Sequence, residues 1–381
     1  MEARGILAEE DQILAARNLG DDRAAERPLR VARALALAAE LVQPGGEPRG
    51  EVEQGDRDDR REEVTYHLRV THWPEPLARA YAACEALARS HYENFPVASR
   101  LLPAAMRPHI AAVYAYARIA DDIADEGSVP AAERMTRLDA WQRRLHAALA
   151  VDALHEPPHQ HEDLIVVAVA HSIHALGLPV SLFDDLISAF GQDTMTTRYA
   201  SWADVFDYCR RSANPIGRLV LRIAGRDDPA DDRASDALCT ALQLTNFWQD
   251  FGRDWRAGRL YVPREVYEAR GAAEEDLRAG AMTGAWAAAI AECVGVTRSL
   301  FDRGRAVCDR VAGRLRYELR FTWLGGRRML DRAYALRHRL LTERPTLGAA
   351  DVPVLLWQAM RWQLTTSAWS ERPRPTFGDR A

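Results

Sequence analysis

QLTNFWQDFGRDW, residues 243–255, is the stretch on which the reading of this chain turns. Wound as a helix, it sets Gln243, Asn246, Asp250 and Asp254 at offsets 0, 3, 7 and 11, a polar stripe on one face. Leu244, Phe247, Trp248 and Phe251 fill the turns around that stripe, so the polar face belongs beside an internal space and not beside solvent. Far upstream the pattern is repeated in YAYARIADDIADEG, residues 114–127. There Tyr114, Arg118, Asp121 and Asp125 stand at offsets 0, 4, 7 and 11, with Asp122 beside them and Ala115, Ala117, Ile119 and Ala120 as the apolar surround.

Two carboxylates four apart on a helix repel. At about 6 Å and an effective dielectric near 20 the cost is roughly 3 kcal/mol per pair, and burial adds to it by favouring the protonated form. One DxxxD is common and is normally solvated, with Arg118 then a simple ion-pair partner for Asp121. Two matched stripes carrying Asn, Gln, Arg and Tyr argue for function. Oxygen-only donors without clustered His or Cys suit Mg²⁺, which completes its shell with water and substrate phosphate. The expected ligand is therefore a phosphate ester, in particular a diphosphate. A carbocation left by its departure would need dry apolar walls and aromatic faces. Tyr92, Phe95, Tyr114, Tyr116, Phe247, Trp248 and Phe251 are the aromatic candidates.

Outward from these stretches, apolar residues recur at threes and fours from about Trp73 onward, and Gly and Pro punctuate them at helix-length intervals. The pattern predicts an all-α domain over residues 71–365, between a charged extension (1–70) and a short tail (366–381). Within the extension, residues 29–41 form a possible Ala/Leu/Arg helix, and the glycine-bearing, charged run 44–63 reads as a linker. Residues 164–183 are uncharged save for His171 and His174 and match a bilayer in length. Ser172, Gly177 and Pro179 favour a buried helix ending near Gly177. The terminal VPVLLWQAMRWQL packs as a last helix, its tryptophans either core or interfacial.

The 381 residues, 48% hydrophobic and 28% charged, suffice for a large core and exclude a disordered polymer or a disulfide miniprotein. A net charge of -5 gives no global case for nucleic acid. All 50 basic residues are arginine, so no lysine can serve as Schiff base or P-loop cation. No GxGxxG or GxxxxGK[ST] loop occurs, which argues against a nucleotide-binding α/β fold. Five scattered cysteines read as buried thiols of a reducing compartment, and the acidic start lacks the marks of a secretory leader.

Residues from about His91 to Pro263 resemble the squalene/phytoene synthase family, and the likeness extends to about residue 340. It rests on HYENFPVAS with His91 and Phe95, ADDIAD, YCRRSANPIG (208–217), and the long motif from Gln243 through Asp254 to Arg259, Tyr261 and Pro263. The resemblance implies an all-α, single-domain isoprenoid-synthase fold with a central cavity lined by the two Asp-bearing helices. It implies Mg²⁺ as cofactor, held by Asp121, Asp122, Asp125, Asn246, Asp250 and Asp254, with Arg118 on the diphosphate and Tyr114 and Gln243 completing the polar end. His91 and Phe95 would contact substrate. Many relatives carry Arg or Lys where this chain has Gln249, and small residues at Asn214 and Pro215.

The wording is most similar to the hydroxysqualene synthase branch of hopanoid biosynthesis. That branch would ionise presqualene diphosphate and capture the rearranged cation with water, without NADPH. Gln249 or Asn214 would then hold the water, or else be structural. Condensation of two prenyl diphosphates, a non-catalytic assembly factor on the same fold and a Mg²⁺-dependent phosphohydrolase remain as alternatives. The implied setting is cytoplasmic, with an isoprenoid diphosphate substrate, neighbouring pathway enzymes, peripheral contact with the inner membrane and no nucleic acid.

Overall fold

A computed structural model describes residues 73–90, 102–125, 129–150, 161–348 and 350–362. The 29–41 and 44–63 segments, His91, Tyr92, Phe95 and the tail from 366 lie outside the described residues. Those residues form fourteen helices and no strand, with a single parallel bridge between Arg198 and Leu260. The first five are α1 (Glu75–Ser90), α2 (Arg107–Asp125), α3 (Ala131–Ala150), α4 (His161–Leu176) and α5 (Val180–Asp193). Next come α6 (Trp202–Ser212), α7 (Asn214–Ile223), α8 (Pro229–Gln249) and α9 (Phe251–Arg256). The last are α10 (Arg264–Ala269), α11 (Glu274–Arg278), α12 (Gly284–Arg310), α13 (Gly313–Ala335) and α14 (Asp351–Met360).

Local signals explain many of the ends. Ser201 and Asp204 form a capping box at the start of α6, and Asp228 caps α8 ahead of Pro229. The apolar 164–183 run is split as expected: α4 stops at Leu176, and α5 begins after Gly177 and Pro179. Among the described residues no helix is long and apolar enough to cross a membrane.

Two spines organise the packing. α2 is surrounded by α1, α3, α4 and α5, which bury its Ile110, Ala112, Tyr116 and Ala120. α8 lies chiefly against α12, with α7 and α13 completing its cover. Gly304 permits the close approach of α12, since a Cβ there would stand 2.6 Å from the Leu238 backbone nitrogen. α7 touches α2, α5 and α8 and so joins the two sets, whereas α2 and α8 do not pack along one another. All five cysteines are free and buried in these cores.

Candidate functional site

On α2 the predicted stripe is buried: Tyr114 and Arg118 are almost wholly covered, as is Asp121. Arg118 Nη2 meets Asp122 Oδ1 at 2.5 Å, one turn on. Burial works against the guanidinium charge, but Asp122 and Asp121 outweigh it and raise the Arg118 pKa. Burial pushes the Tyr114 phenol up, so it stays a neutral hydroxyl.

On the second stripe Gln243, Asn246 and Asp250 are buried. Both amide atoms of Gln243 and Nδ2 of Asn246 have no hydrogen-bond partner among the described residues. Each such atom costs about 1–3 kcal/mol, an expense a fold retains when a ligand completes the bonding. The stretch is not one helix, as the periodicity suggests. α8 ends at Gln249, Asp250 sits at the joint with φ −96° and ψ 11°, and α9 begins at Phe251. Helical hydrogen bonds still cross the joint, from Asp250 N to Asn246 O and from Asp254 N to Asp250 O, both 2.8 Å. The carboxylates therefore keep their four-residue spacing while the axis bends.

Two arginines from outside the stripes bind their carboxylates. Arg259 Nη2 reaches Asp125 Oδ1 at 2.6 Å, which ties the chain just beyond the second motif to the first. Arg344 Nε reaches Asp250 Oδ1, also at 2.6 Å. Arg344 arrives on a strap, residues 340–345, that lies over the joint. Gln249 Nε2 donates to the Pro345 carbonyl at 3.0 Å, and Arg256 donates to the Leu341 carbonyl at 3.1 Å. Gly252 admits the strap, since a Cβ there would fall 2.3 Å from the Leu341 oxygen. Sequence reasoning missed Arg344, because a loop arginine 94 residues from its partner leaves no periodic trace.

The aromatic candidates divide. Phe247 stacks on Tyr261 at 3.8 Å between centroids, with Tyr199 and Tyr208 adjoining, and Phe247, Trp248, Phe251 and Tyr261 together border a closed seam with Asp254 and Arg259. Trp248 turns to α12 and donates its indole N–H to Thr297, Tyr116 stacks on Trp141, and Phe251 leans on Trp286. Those three are core. Asn214 accepts from Thr240 Oγ1 at 2.9 Å at the edge of an open groove of about 700 Å³, lined also by Phe206 and Leu300.

The donors suit a hard cation: carboxylates at 121, 122, 125, 250 and 254, and the side-chain carbonyl oxygen of Asn246. Among the described residues no three acidic, His or Cys side chains are grouped closely enough to hold a metal, and Asp122, Asp125 and Asp250 carry arginine partners. The donor chemistry fits Mg²⁺, and its binding would require those guanidiniums to turn from carboxylate to diphosphate.

Comparison with known proteins adds four findings. A family model described as squalene/phytoene synthase matches residues 88–351. A hydroxysqualene synthase of Sinorhizobium fredii is 33% identical over 231 residues, which are 60% of this chain and 74% of that protein. One from Zymomonas mobilis is 38% identical over 186 residues, 49% of this chain and 59% of its own length. Among solved structures, squalene synthase HpnC from Alicyclobacillus acidocaldarius superposes with a TM-score of 0.63 at 38% identity, covering 72% of this chain and 98% of that one.

Proposed function

The chain belongs to the squalene/phytoene synthase family, and from that premise we propose that it ionises presqualene diphosphate and captures the cation with water as hydroxysqualene. The observation that supports a diphosphate site is the ion pair by which Arg259, in the loop after the second stripe, reaches Asp125 on the first. Asp121, Asp122 and Asp125 from one stripe, with Asn246, Asp250 and Asp254 from the other, would hold Mg²⁺, which when bound supplies the positive charge that a departing diphosphate needs.

The chain's own groups do the rest. Arg118, Arg259 and Arg344 offer planar forks that match phosphate oxygens. Tyr114, as a neutral phenol, and Gln243 donate hydrogen bonds without acting as strong bases. His91 and Phe95, which lie outside the described residues, would contact the substrate. Gln249 is tied to the strap, so its first role is to hold Arg344 in place; Asn214, bonded to Thr240, stands at the groove. The setting proposed is cytoplasmic, beside the enzymes that make presqualene diphosphate and use hydroxysqualene.

One observation favours a second reading. Arg344 brings a guanidinium to Asp250, next to Gln249, so the lack of a basic side chain at 249 does not strip this end of positive charge. Head-to-head condensation of two prenyl diphosphates is then chemically served as well. Product analysis separates the two. With Mg²⁺ and no NADPH, presqualene diphosphate is expected to give hydroxysqualene, and farnesyl diphosphate to give nothing. Coupled products from farnesyl diphosphate would establish condensation instead.

A further inference from the structure

The last helix, α14, is apolar on both sides. Leu355 and Ala359 face the core together with Trp362, and Asp351 is buried under Arg328 and Arg332. The opposite side carries Val354, Leu356, Trp357 and Met360, the last 70% exposed. Four of the six large hydrophobic side chains exposed among the described residues thus lie on this one helix face, with Tyr317 and Met195 the other two. A helix hydrophobic all round is ordinarily buried, and a contiguous apolar patch of this kind marks a surface that meets something.

Charge decides what it meets. Arg361 stands over the Trp357 ring at 5.1 Å, and Arg328 and Arg332 flank the start of the helix. The carboxylates at this patch are already engaged. Asp351 is covered and paired, Glu318 is buried, and Asp309 is held by Trp362, Arg305 and Arg320. A second copy docked on this face about a twofold axis would set one arginine rim against another. An anionic bilayer is complementary on both counts: it takes the tryptophan and methionine into its interface and the arginines at its phosphates.

We propose that the outward face of α14 docks in the headgroup plane of an anionic phospholipid bilayer. The proposal rests on this face and not on the reaction assigned above. Co-sedimentation of the full chain with vesicles tests it. Vesicles containing phosphatidylglycerol should pellet the protein at least about tenfold better than phosphatidylcholine alone. A Trp357→Ser/Met360→Ser variant should lose that binding with its far-UV spectrum and its turnover of detergent-dispersed substrate unchanged, and Arg361→Glu should weaken it. Failure of the wild-type chain to bind anionic vesicles overturns the proposal. So does equal binding by the double variant, or a wild-type dimer that this variant dissolves. Vesicle binding without turnover would count against the reaction and leave the docking face standing.

Discussion

The two acidic stripes have nearly the same spacing, yet they are built differently. The first lies on an unbroken helix, α2, and one of its carboxylates is paired from within, by Arg118 four residues before Asp122. The second spans a joint, with Asp250 where α8 gives way to α9. Its support comes from a strap nearly a hundred residues later in the chain. The difference teaches that a stripe is only half of such a site. The other half is the set of arginines delivered to it, and these come from loops: Arg259 to Asp125, Arg344 to Asp250.

The largest effect is expected at the carboxylates themselves. Asp250→Asn and Asp121→Asn should each slow turnover by about a thousandfold or more, roughly 4 kcal/mol of barrier, with helix content by circular dichroism unchanged. If one stripe tolerated this and the other did not, the comparison would break into a catalytic and a structural half. Next is the tie between them. Arg259→Gln leaves the mostly buried Asp125 without that partner and should cost about 3–5 kcal/mol in urea unfolding. A cost under about 1 kcal/mol would show a solvent-like pair and no tie.

The α2 side should also be the acid-sensitive one. His109, Tyr81, His171 and Ser172 form a buried hydrogen-bonded cluster between α1, α2 and α4, and Trp73 stacks on Tyr81. Burial, helped by His171, lowers the His109 pKa to about 4 from an ordinary value of 6.5. Between those values the unfolded chain takes up a proton that the folded chain refuses. Stability is therefore full above the unfolded value and falls as the pH drops toward 4, by up to about 3 kcal/mol. Urea unfolding from pH 7 to pH 4 should show that slope, and His109→Gln should flatten it. An unchanged slope in the variant would place the sensitivity elsewhere. The smallest effect belongs to the strap: Gln249→Ala removes one hydrogen bond to Pro345, about 1 kcal/mol, and should speed amide exchange across residues 340–346. Protection equal to wild type would free Gln249 for another role.

What was legible in the sequence was what is local. The end of α4 before Gly177, the all-helical class and the two buried stripes follow from periodicity and from residues that stop helices. The joint at Asp250 was hidden, because a bend that keeps the hydrogen-bond ladder also keeps the spacing. The bonds from Gln249 to Pro345 and from Arg344 to Asp250 could not be read from sequence, since the strap lies beyond α12 and α13, which pack against α8. Trp248, one of the aromatic candidates, gives its indole N–H to Thr297 on α12, a long-range bond that periodicity does not mark.

The central claim is that the two stripes face one diphosphate. Titration calorimetry of inorganic diphosphate in the presence of Mg²⁺ tests it without any turnover. The wild-type chain should bind, and Asp125→Asn and Asp250→Asn, one from each stripe, should each abolish the binding. Retention of wild-type affinity in either variant would mean that the stripes do not share a site.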